Sequence, residues 1–177
     1  MFYKAFVLYL LFIASVKADV YLNVPHSMQE TPVWCWAAAA QQIIAYKKGS
    51  GNTPSQCQIV EVATGLGPGE CCHGNNPLCY HGAGFNIVAN VISYFGGAYS
   101  NYVLPANPYV IESTLATGRP ILAQLAMSGG GTHVVVIRGI RMLPAPALFV
   151  NDPLMTAPMF IPFINLASIW MDGIVIN

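Results

Sequence analysis

The sequence contains few charged residues, and this scarcity limits the partners that the protein can bind. Charged residues make up 8% of the 177 residues, whereas roughly 25% is average for a soluble domain. The seven lysines and arginines form no basic patch and no basic helix, which excludes a nucleic acid as an expected partner. No internal repeat is visible either, which excludes a repeat architecture.

Long apolar runs are missing beyond the N-terminus, so no transmembrane helix is expected there. At the N-terminus itself, a cationic start precedes an apolar stretch from Ala5 to Val16, and Val16-Lys17-Ala18 has small residues where a signal peptidase cleaves. These features predict a signal peptide over residues 1–18 and export to the extracellular or periplasmic space. No stable membrane insertion is expected after cleavage, and an uncleaved anchor is the alternative.

Cysteine is scarce, and its odd count is informative in an exported protein. The chain has five cysteines, Cys35, Cys57, Cys71, Cys72 and Cys79. Because exported cysteines usually pair, we predict two disulfides within residues 57–79 and a free thiol at Cys35.

The pairing within this cysteine cluster has three possible forms. A bridge between the adjacent Cys71 and Cys72 is disfavoured because it strains the peptide between them. We favour Cys57–Cys71 together with Cys72–Cys79. Zinc binding by the cluster and its neighbouring histidines is the alternative to disulfides.

The predicted elements change from helices to strands along residues 19–177, a length that suits one domain. Helical periodicity and helix start signals predict helices over residues 32–48, 55–64, 85–95 and 107–117. Short β-rich runs bounded by turns predict strands over residues 121–126, 133–140, 148–150, 160–163 and 174–176. This order indicates an α+β fold. We expect a helical lobe at about 19–118, a β lobe at about 119–177, and a functional site between them.

The lone cysteine lies near the start of the first predicted helix. With Thr31 as the N-cap and Pro32 as the first helical residue, Cys35 falls in the first turn. Free backbone N–H groups and the positive end of the helix dipole stabilise a thiolate there, and the thiolate is the nucleophilic form of cysteine. A small buried core residue is the alternative.

Among the four histidines, His133 is best placed to activate a thiol. It follows a triple glycine at residues 129–131 and opens an apolar strand, and glycines allow a substrate to approach closely. A strand-end histidine with a purely structural role is the alternative.

The end of the next predicted strand carries Asn151 and Asp152, and an antiparallel pairing would bring one of them beside His133. Such a group holds the imidazole in the required tautomer. We predict that Asp152 has this role, because adjacent strand side chains point to opposite faces and a carboxylate stabilises an imidazolium better than an amide does. A plain turn at Asn151-Asp152-Pro153 is the alternative.

Acyl transfer also requires hydrogen-bond donors for an oxyanion. The backbone N–H of Cys35 is one candidate donor. The side-chain amide of Gln29, six residues upstream, is another. An ordinary exposed polar residue is the alternative interpretation of Gln29.

In this order and context, the residues resemble the papain-like cysteine peptidases. The resemblance rests on Gln29, on Cys35-Trp36 opening a helix, on His133 before an apolar strand with Gly139, and on Asn or Asp at a strand end. The segments Val33–Ala38 and Asn151–Pro153 are similar to the compact bacterial branch, which includes staphopain-type proteases, plant-pathogen effector proteases and double-glycine leader peptidases. Cys79–Gly84 is similar to the family's Cys-Asn-Gly-Gly segment, and the whole resemblance spans residues 23–176.

The resemblance implies a papain-like fold and a secreted thiol protease that acts on protein or peptide substrates through a covalent acyl-enzyme. It implies Cys35 as the nucleophile, His133 as the general base and acid, Asp152 as the orienting group, and Gln29 as an oxyanion donor. No cofactor or metal is implied, and we expect a monomer. An exported, catalytically inactive binding module on the same fold is the alternative.

Three departures from the papain pattern bear on structure and control. No cysteine precedes Cys35 in its helix to tie it to the Cys79 loop, and the Asn-Ser-Trp segment is absent. A long inhibitory propeptide is also missing. We therefore expect either a protein exported ready to act or one restrained by a separate inhibitor protein.

Overall fold

The structure is a computed structural model that describes residues 19–74, 76–102, 104 and 106–177. The predicted signal peptide over residues 1–18 lies outside the described residues. The helices are α1 (Cys35–Lys48), α2 (Gln56–Thr64), α3 (Phe85–Tyr94), α4 (Pro108–Ala116) and α5 (Phe163–Ala167). The strands are β1 (Val20–Tyr21), β2 (Tyr99–Asn101), β3 (Ile121–Ala126), β4 (Thr132–Arg141), β5 (Ala147–Asn151), β6 (Met159–Pro162) and β7 (Trp170–Ile176). In the described part of the chain, no helix is both long and apolar enough to cross a membrane.

The first helix begins later than predicted, at Cys35 rather than at Pro32. Thr31 does not cap it, since the residue before the helix is Trp34 and no side chain caps that end. Residues 31–34 form a turn instead, in which the Trp34 N–H donates to the Thr31 carbonyl at 3.2 Å. The buried indole of Trp34 also donates to the Cys79 carbonyl at 2.8 Å, and this distant contact fixes the backbone outside the helix.

At two other helices the predicted start lies within one residue of the observed one. Ser55 caps α2 in a capping box with Gln58, and Asn107 caps α4 ahead of Pro108. The prediction missed α5, which is too short to show a helical period. It also missed β2, since a strand of three residues carries little alternation.

The seven strands form one antiparallel sheet in the order β2-β7-β3-β4-β5-β6, with β1 paired to β4. The predicted α+β fold is confirmed. The sheet also takes two short strands, β1 and β2, from the half of the chain that was expected to be helical. In this arrangement β4 is central, pairing with β3 along one part and with β5 along another.

Helices cover both faces of the sheet and create two hydrophobic clusters. On one face, α1, α2 and α3 pack against alternate strand residues such as Val134 and Val136. On the other face, α4 and α5 pack against the residues between them, such as Val135 and Ile137. Four consecutive alanines of α1, Ala37–Ala40, are fully buried, so the helix backbone lies close to the sheet and its first residue lies near the end of β4.

The cysteine cluster forms two disulfides, and Cys35 is the free thiol. Both predictions are confirmed, but the favoured pairing is wrong, because the bridges are Cys57–Cys72 and Cys71–Cys79. Cys71 and Cys79 are both buried. The next residue along the chain, Cys72, points the other way toward the start of α2. Since all four sulfurs are in disulfides, the loop does not supply thiolates to a zinc ion.

A buried carboxylate fixes the backbone that sets this pairing. Glu61 of α2 accepts hydrogen bonds from the N–H groups of Cys71 at 2.9 Å and of Cys72 at 3.3 Å. With the backbone held at both residues, the two adjacent side chains are directed to different partners. The pairing thus depends on a contact between residues ten positions apart, which the spacing of the cysteines does not reveal.

Partial reduction followed by differential alkylation should label Cys57 and Cys72 before Cys71 and Cys79. The reason is burial, because Cys57 and Cys72 are half-buried whereas Cys71 and Cys79 lie in the core. Tandem mass spectrometry of the labelled peptides measures the order. First labelling of Cys57 together with Cys71 would contradict the pairing.

Candidate active site

The N-terminal strap, residues 22–34, runs from β1 to the start of α1 and is held at several points by β4 and β5. The Leu22 N–H donates to the Arg138 carbonyl at 2.7 Å. The fully buried side-chain amide of Asn151 donates to the carbonyls of Val24 and Pro25, each at 3.2 Å. Asn151 therefore holds the strap, and its side chain is not the one that meets His133.

His133, the second residue of β4, makes a short contact with the carboxylate that follows β5. Its Nε2 lies 2.6 Å from Asp152 Oδ1. The same oxygen accepts the N–H of Leu154 at 2.9 Å, which fixes the direction of the carboxylate. Because Asn151 and Asp152 are adjacent and extended, their side chains point to opposite sides, so one holds the strap and the other meets the imidazole.

Cys35 is the first residue of α1 and lies on the other side of the imidazole. Its half-buried thiol lines the same cleft as His133 and contributes to the raised pKa of that histidine. The first N–H groups of a helix have no partner within the helix, and the N–H of Cys35 is the first of them. The structure thus brings Cys35, His133 and Asp152 together at one site.

The charges of His133 and Asp152 stabilise each other. Burial alone lowers the pKa of His133, but hydrogen bonds and charge interactions with Asp152 and Cys35 outweigh it and raise the pKa to about 9. Burial raises the pKa of Asp152, yet the hydrogen bond and charge of His133, with further contributions from the Leu154 N–H and His26, bring it below its usual value. The imidazolium and the carboxylate therefore coexist at neutral pH.

Gln29 lies on the strap and lines the same cleft as Cys35. Its Nε2 donates to the Thr31 carbonyl at 2.7 Å, which identifies the nitrogen end of the amide and leaves its second N–H free. The backbone N–H of Gln29 donates to the Pro153 carbonyl at 2.9 Å. The residue is thereby tied both to its own turn and to the residue that follows Asp152.

The cleft has a volume of about 460 Å³ and lies between α1 with its flanking loops and the ends of β3 and β4. Its lining residues are Gln29, Pro32, Val33, Cys35, Trp36, Gly82, Ala83, Gly84, Gln124, Met127, Gly131, Thr132, His133, Val134 and Leu154. A mostly apolar pocket of about 370 Å³ lies beside it, and Met127, His133 and Leu154 line both. His133 therefore lies between two adjoining cavities.

One wall of the cleft belongs to the cysteine loop and is held by the tryptophans that flank Cys35. Trp34 and Trp36 donate their indole N–H groups to the carbonyls of Cys79 and His81, at 2.8 Å and 3.2 Å. These bonds place residues 82–84 opposite the thiol. Sequence reasoning missed this role of the tryptophans, although their position on both sides of Cys35 was a visible signal.

No metal site accompanies this arrangement in the described residues, where no group of three or more His, Cys, Asp or Glu side chains could hold an ion. His73 and His81 lie in the cysteine loop, where His73 is exposed and His81 is half-buried. His81 stacks on Trp36, with ring centroids 6.1 Å apart.

Comparison with known families and structures places this geometry in context. The family model described as papain-like cysteine protease AvrRpt2 matches residues 18–159. A C39-like peptidase from Bacillus anthracis has a similar structure, with a TM-score of 0.64 at 14% identity over 91% of this chain and 98% of that chain. A double glycine motif protease from an AMS/PCAT transporter, solved with its leader peptide, has a TM-score of 0.60 at 17% identity over 90% and 96%. These two likenesses concern the fold, and no curated protein matches the chain in sequence.

Proposed function

Since the chain belongs to the family of the papain-like cysteine protease AvrRpt2 and is a cysteine-type peptidase, we propose that it is a secreted peptidase whose triad is Cys35, His133 and Asp152. The observation that carries this proposal is the 2.6 Å contact between His133 and Asp152 beside a cleft that Cys35 and His133 both line. The proposed domain organisation is a signal peptide over residues 1–18 and a peptidase domain over residues 19–177.

In the acylation step, the Cys35 thiolate attacks the carbonyl carbon of the scissile peptide bond and forms a tetrahedral intermediate. Its negative oxygen accepts hydrogen bonds from the N–H of Cys35 and the free N–H of Gln29. The His133 imidazolium then donates its proton to the leaving amine as the carbon–nitrogen bond breaks. The products are a thioester on Cys35 and a free N-terminal amine.

Deacylation reverses these roles with water in place of the amine. Neutral His133 takes a proton from water, and the resulting hydroxide attacks the thioester carbonyl. The carbon–sulfur bond breaks, the peptide leaves with a new carboxylic acid that releases its proton to solvent, and Cys35 returns to the thiolate beside the imidazolium. Throughout, Asp152 accepts the Nε2–H of His133, so that the other ring nitrogen faces the thiol.

The proposal of secretion has its own support. Four of the five cysteines pair into disulfides, and disulfides persist in oxidising compartments outside the cytosol. The expected partner is a protein or peptide substrate. Control by a separate inhibitor protein and export in a ready-to-act form both remain compatible with this proposal.

Alkylation by iodoacetamide at pH 6–7 tests the proposed nucleophile, and Cys35 should react much faster than a free-thiol peptide. The imidazolium of His133 is a cation near the thiol, and a neighbouring cation favours the thiolate that reacts with iodoacetamide. Because the pKa of His133 is raised to about 9, this stabilisation is present at neutral pH and is lost as the pH rises through 9. The rate advantage of Cys35 should therefore disappear in alkaline solution.

The matched control for this labelling is His133→Ala, which keeps the thiol at the helix start and removes its partner. Mass spectrometry of the carboxymethylated peptide gives the rate at each pH. If Cys35 in the wild-type protein reacts no faster than the peptide at any pH, the peptidase proposal fails. The inactive binding module on the same fold would then be the better interpretation.

A further inference from the structure

A second histidine, His26, lies on the strap behind the proposed triad. Its Nε2 is 2.8 Å from the Met155 carbonyl, and since a carbonyl only accepts, this nitrogen carries the proton. His26 is not among the described residues that line the cleft or the neighbouring apolar pocket. Its position therefore relates it to Asp152 rather than to a substrate.

The Asp152 turn, residues 152–155, has few ties of its own. Within the turn, the N–H groups of Leu154 and Met155 donate to the side chain and the carbonyl of Asp152, at 2.9 Å and 3.0 Å. Two further bonds tie it to the strap, from the Gln29 N–H to the Pro153 carbonyl and from His26 to the Met155 carbonyl. Of these two bonds to the strap, only the one from His26 is made by a side chain. A substitution can therefore remove that bond and not the other.

Charge adds to this geometric argument. The charges that act on the Asp152 carboxylate come from His133 and His26. His133 contacts Asp152 directly, and His26 acts from the strap, where a protonated ring would oppose protonation of the carboxylate. The two imidazoles thus act on the same carboxylate, although only one is in the proposed triad.

We propose that His26 is a positioning residue, which holds the Asp152 turn in place through Met155 and, when its ring is protonated, places a positive charge near the Asp152 carboxylate. The inference rests on the proposed function, because it assigns His26 a role in orienting His133 through Asp152. It predicts two separable contributions, one from the hydrogen bond and one from the charge.

Two substitutions separate these contributions. His26→Ala removes both the donor and the charge. His26→Gln keeps an N–H donor within reach of the Met155 carbonyl but carries no charge at any pH. His73→Gln is the matched control, since His73 is exposed on the cysteine loop and lies outside the proposed site.

The measurement is the rate of Cys35 alkylation by iodoacetamide between about pH 4 and pH 9, a range that spans the ordinary titration of carboxyl and imidazole groups. We expect His26→Ala to react about fivefold more slowly at pH 6, the effect of losing one hydrogen bond. His26→Gln should match the wild type at neutral pH but lose reactivity at a higher pH than the wild type on the acid side. His73→Gln should follow the wild-type profile throughout, and circular dichroism checks that each variant is folded.

The outcomes separate the two proposals. A slow wild-type thiol at every pH contradicts the peptidase proposal itself. A fast wild-type thiol with superimposable profiles for both His26 variants overturns the role of His26 alone. The role of His26 is also overturned if both variants lose the same alkylation rate and the fall in rate at low pH is unchanged. Packing alone would then explain the loss. If His26→Ala fails to fold, the pH at which the alkylation rate of His26→Gln falls in acid decides whether His26 has this role.

Discussion

Replacing Asp152 with alanine is expected to lower the rate of peptide hydrolysis by roughly 10³–10⁴-fold, the effect of losing the orienting carboxylate of a triad. His133 would lose its 2.6 Å contact at Nε2 and with it the choice of tautomer. The raised pKa of His133 also depends on Asp152, so less imidazolium would be available to protonate the leaving amine. Turnover of a fluorescent casein substrate by the folded variant measures the effect.

The matched control for Asp152 is its neighbour. Asn151→Ala should lower the free energy of unfolding by about 1–3 kcal/mol, because the strap carbonyls lose their buried donor. It should reduce turnover far less than Asp152→Ala does. Thermal unfolding separates the two effects. If both variants fold and Asn151→Ala has the lower turnover rate, the orienting role belongs to Asn151 instead of Asp152.

Replacing Gln29 with alanine is expected to lower turnover by about 10²–10³-fold, as the loss of one oxyanion donor does. The amide contacts the developing negative charge only in the tetrahedral intermediate, so the loss should fall on kcat more than on KM. Alkylation of Cys35 needs no oxyanion and should proceed at nearly the wild-type rate. The combination of slow turnover and fast alkylation would be specific to this role.

Gln124→Ala provides the control for Gln29. Gln124 lies in the same cleft on the sheet side, where its amide donates to the Thr132 hydroxyl at 3.0 Å. It is not a proposed oxyanion donor, so its removal should leave kcat close to the wild-type value. Equal losses in the two glutamine variants, or an unchanged kcat in Gln29→Ala, would show that Gln29 has no special role.

The parts of the fold that could be predicted from the sequence are those set by neighbouring residues. The start of α4 follows from Asn107 and Pro108, and β3 has the same ends as its turn-bounded apolar run. The start of α1 could not be predicted, since a proline turn at residues 31–34 has the same local signals as a helix start. The choice is made by the bond from Trp34 to Cys79, which links residues 45 positions apart.

The site shows the same division. Gln29, Cys35, His133 and Asp152 could be proposed together because their order and local contexts resemble a known family. The role of Asn151 in holding the strap could not be predicted, because its partners Val24 and Pro25 lie more than 120 positions away in the sequence. The cysteine pairing failed for a related reason, since the buried Glu61 decides which way each adjacent cysteine points.

The strap also determines when during synthesis this site can exist. Gln29 and Cys35 are made more than 100 residues before the groups that hold the strap, from Arg138 to Pro153. Contacts of such long sequence separation form late in folding. A nascent chain that emerges N-terminus first therefore carries its thiol without the imidazole, the carboxylate or the anchored glutamine. In the proposed peptidase, the order of the sequence thus delays any cleavage until the segment that carries His133 and Asp152 has been made.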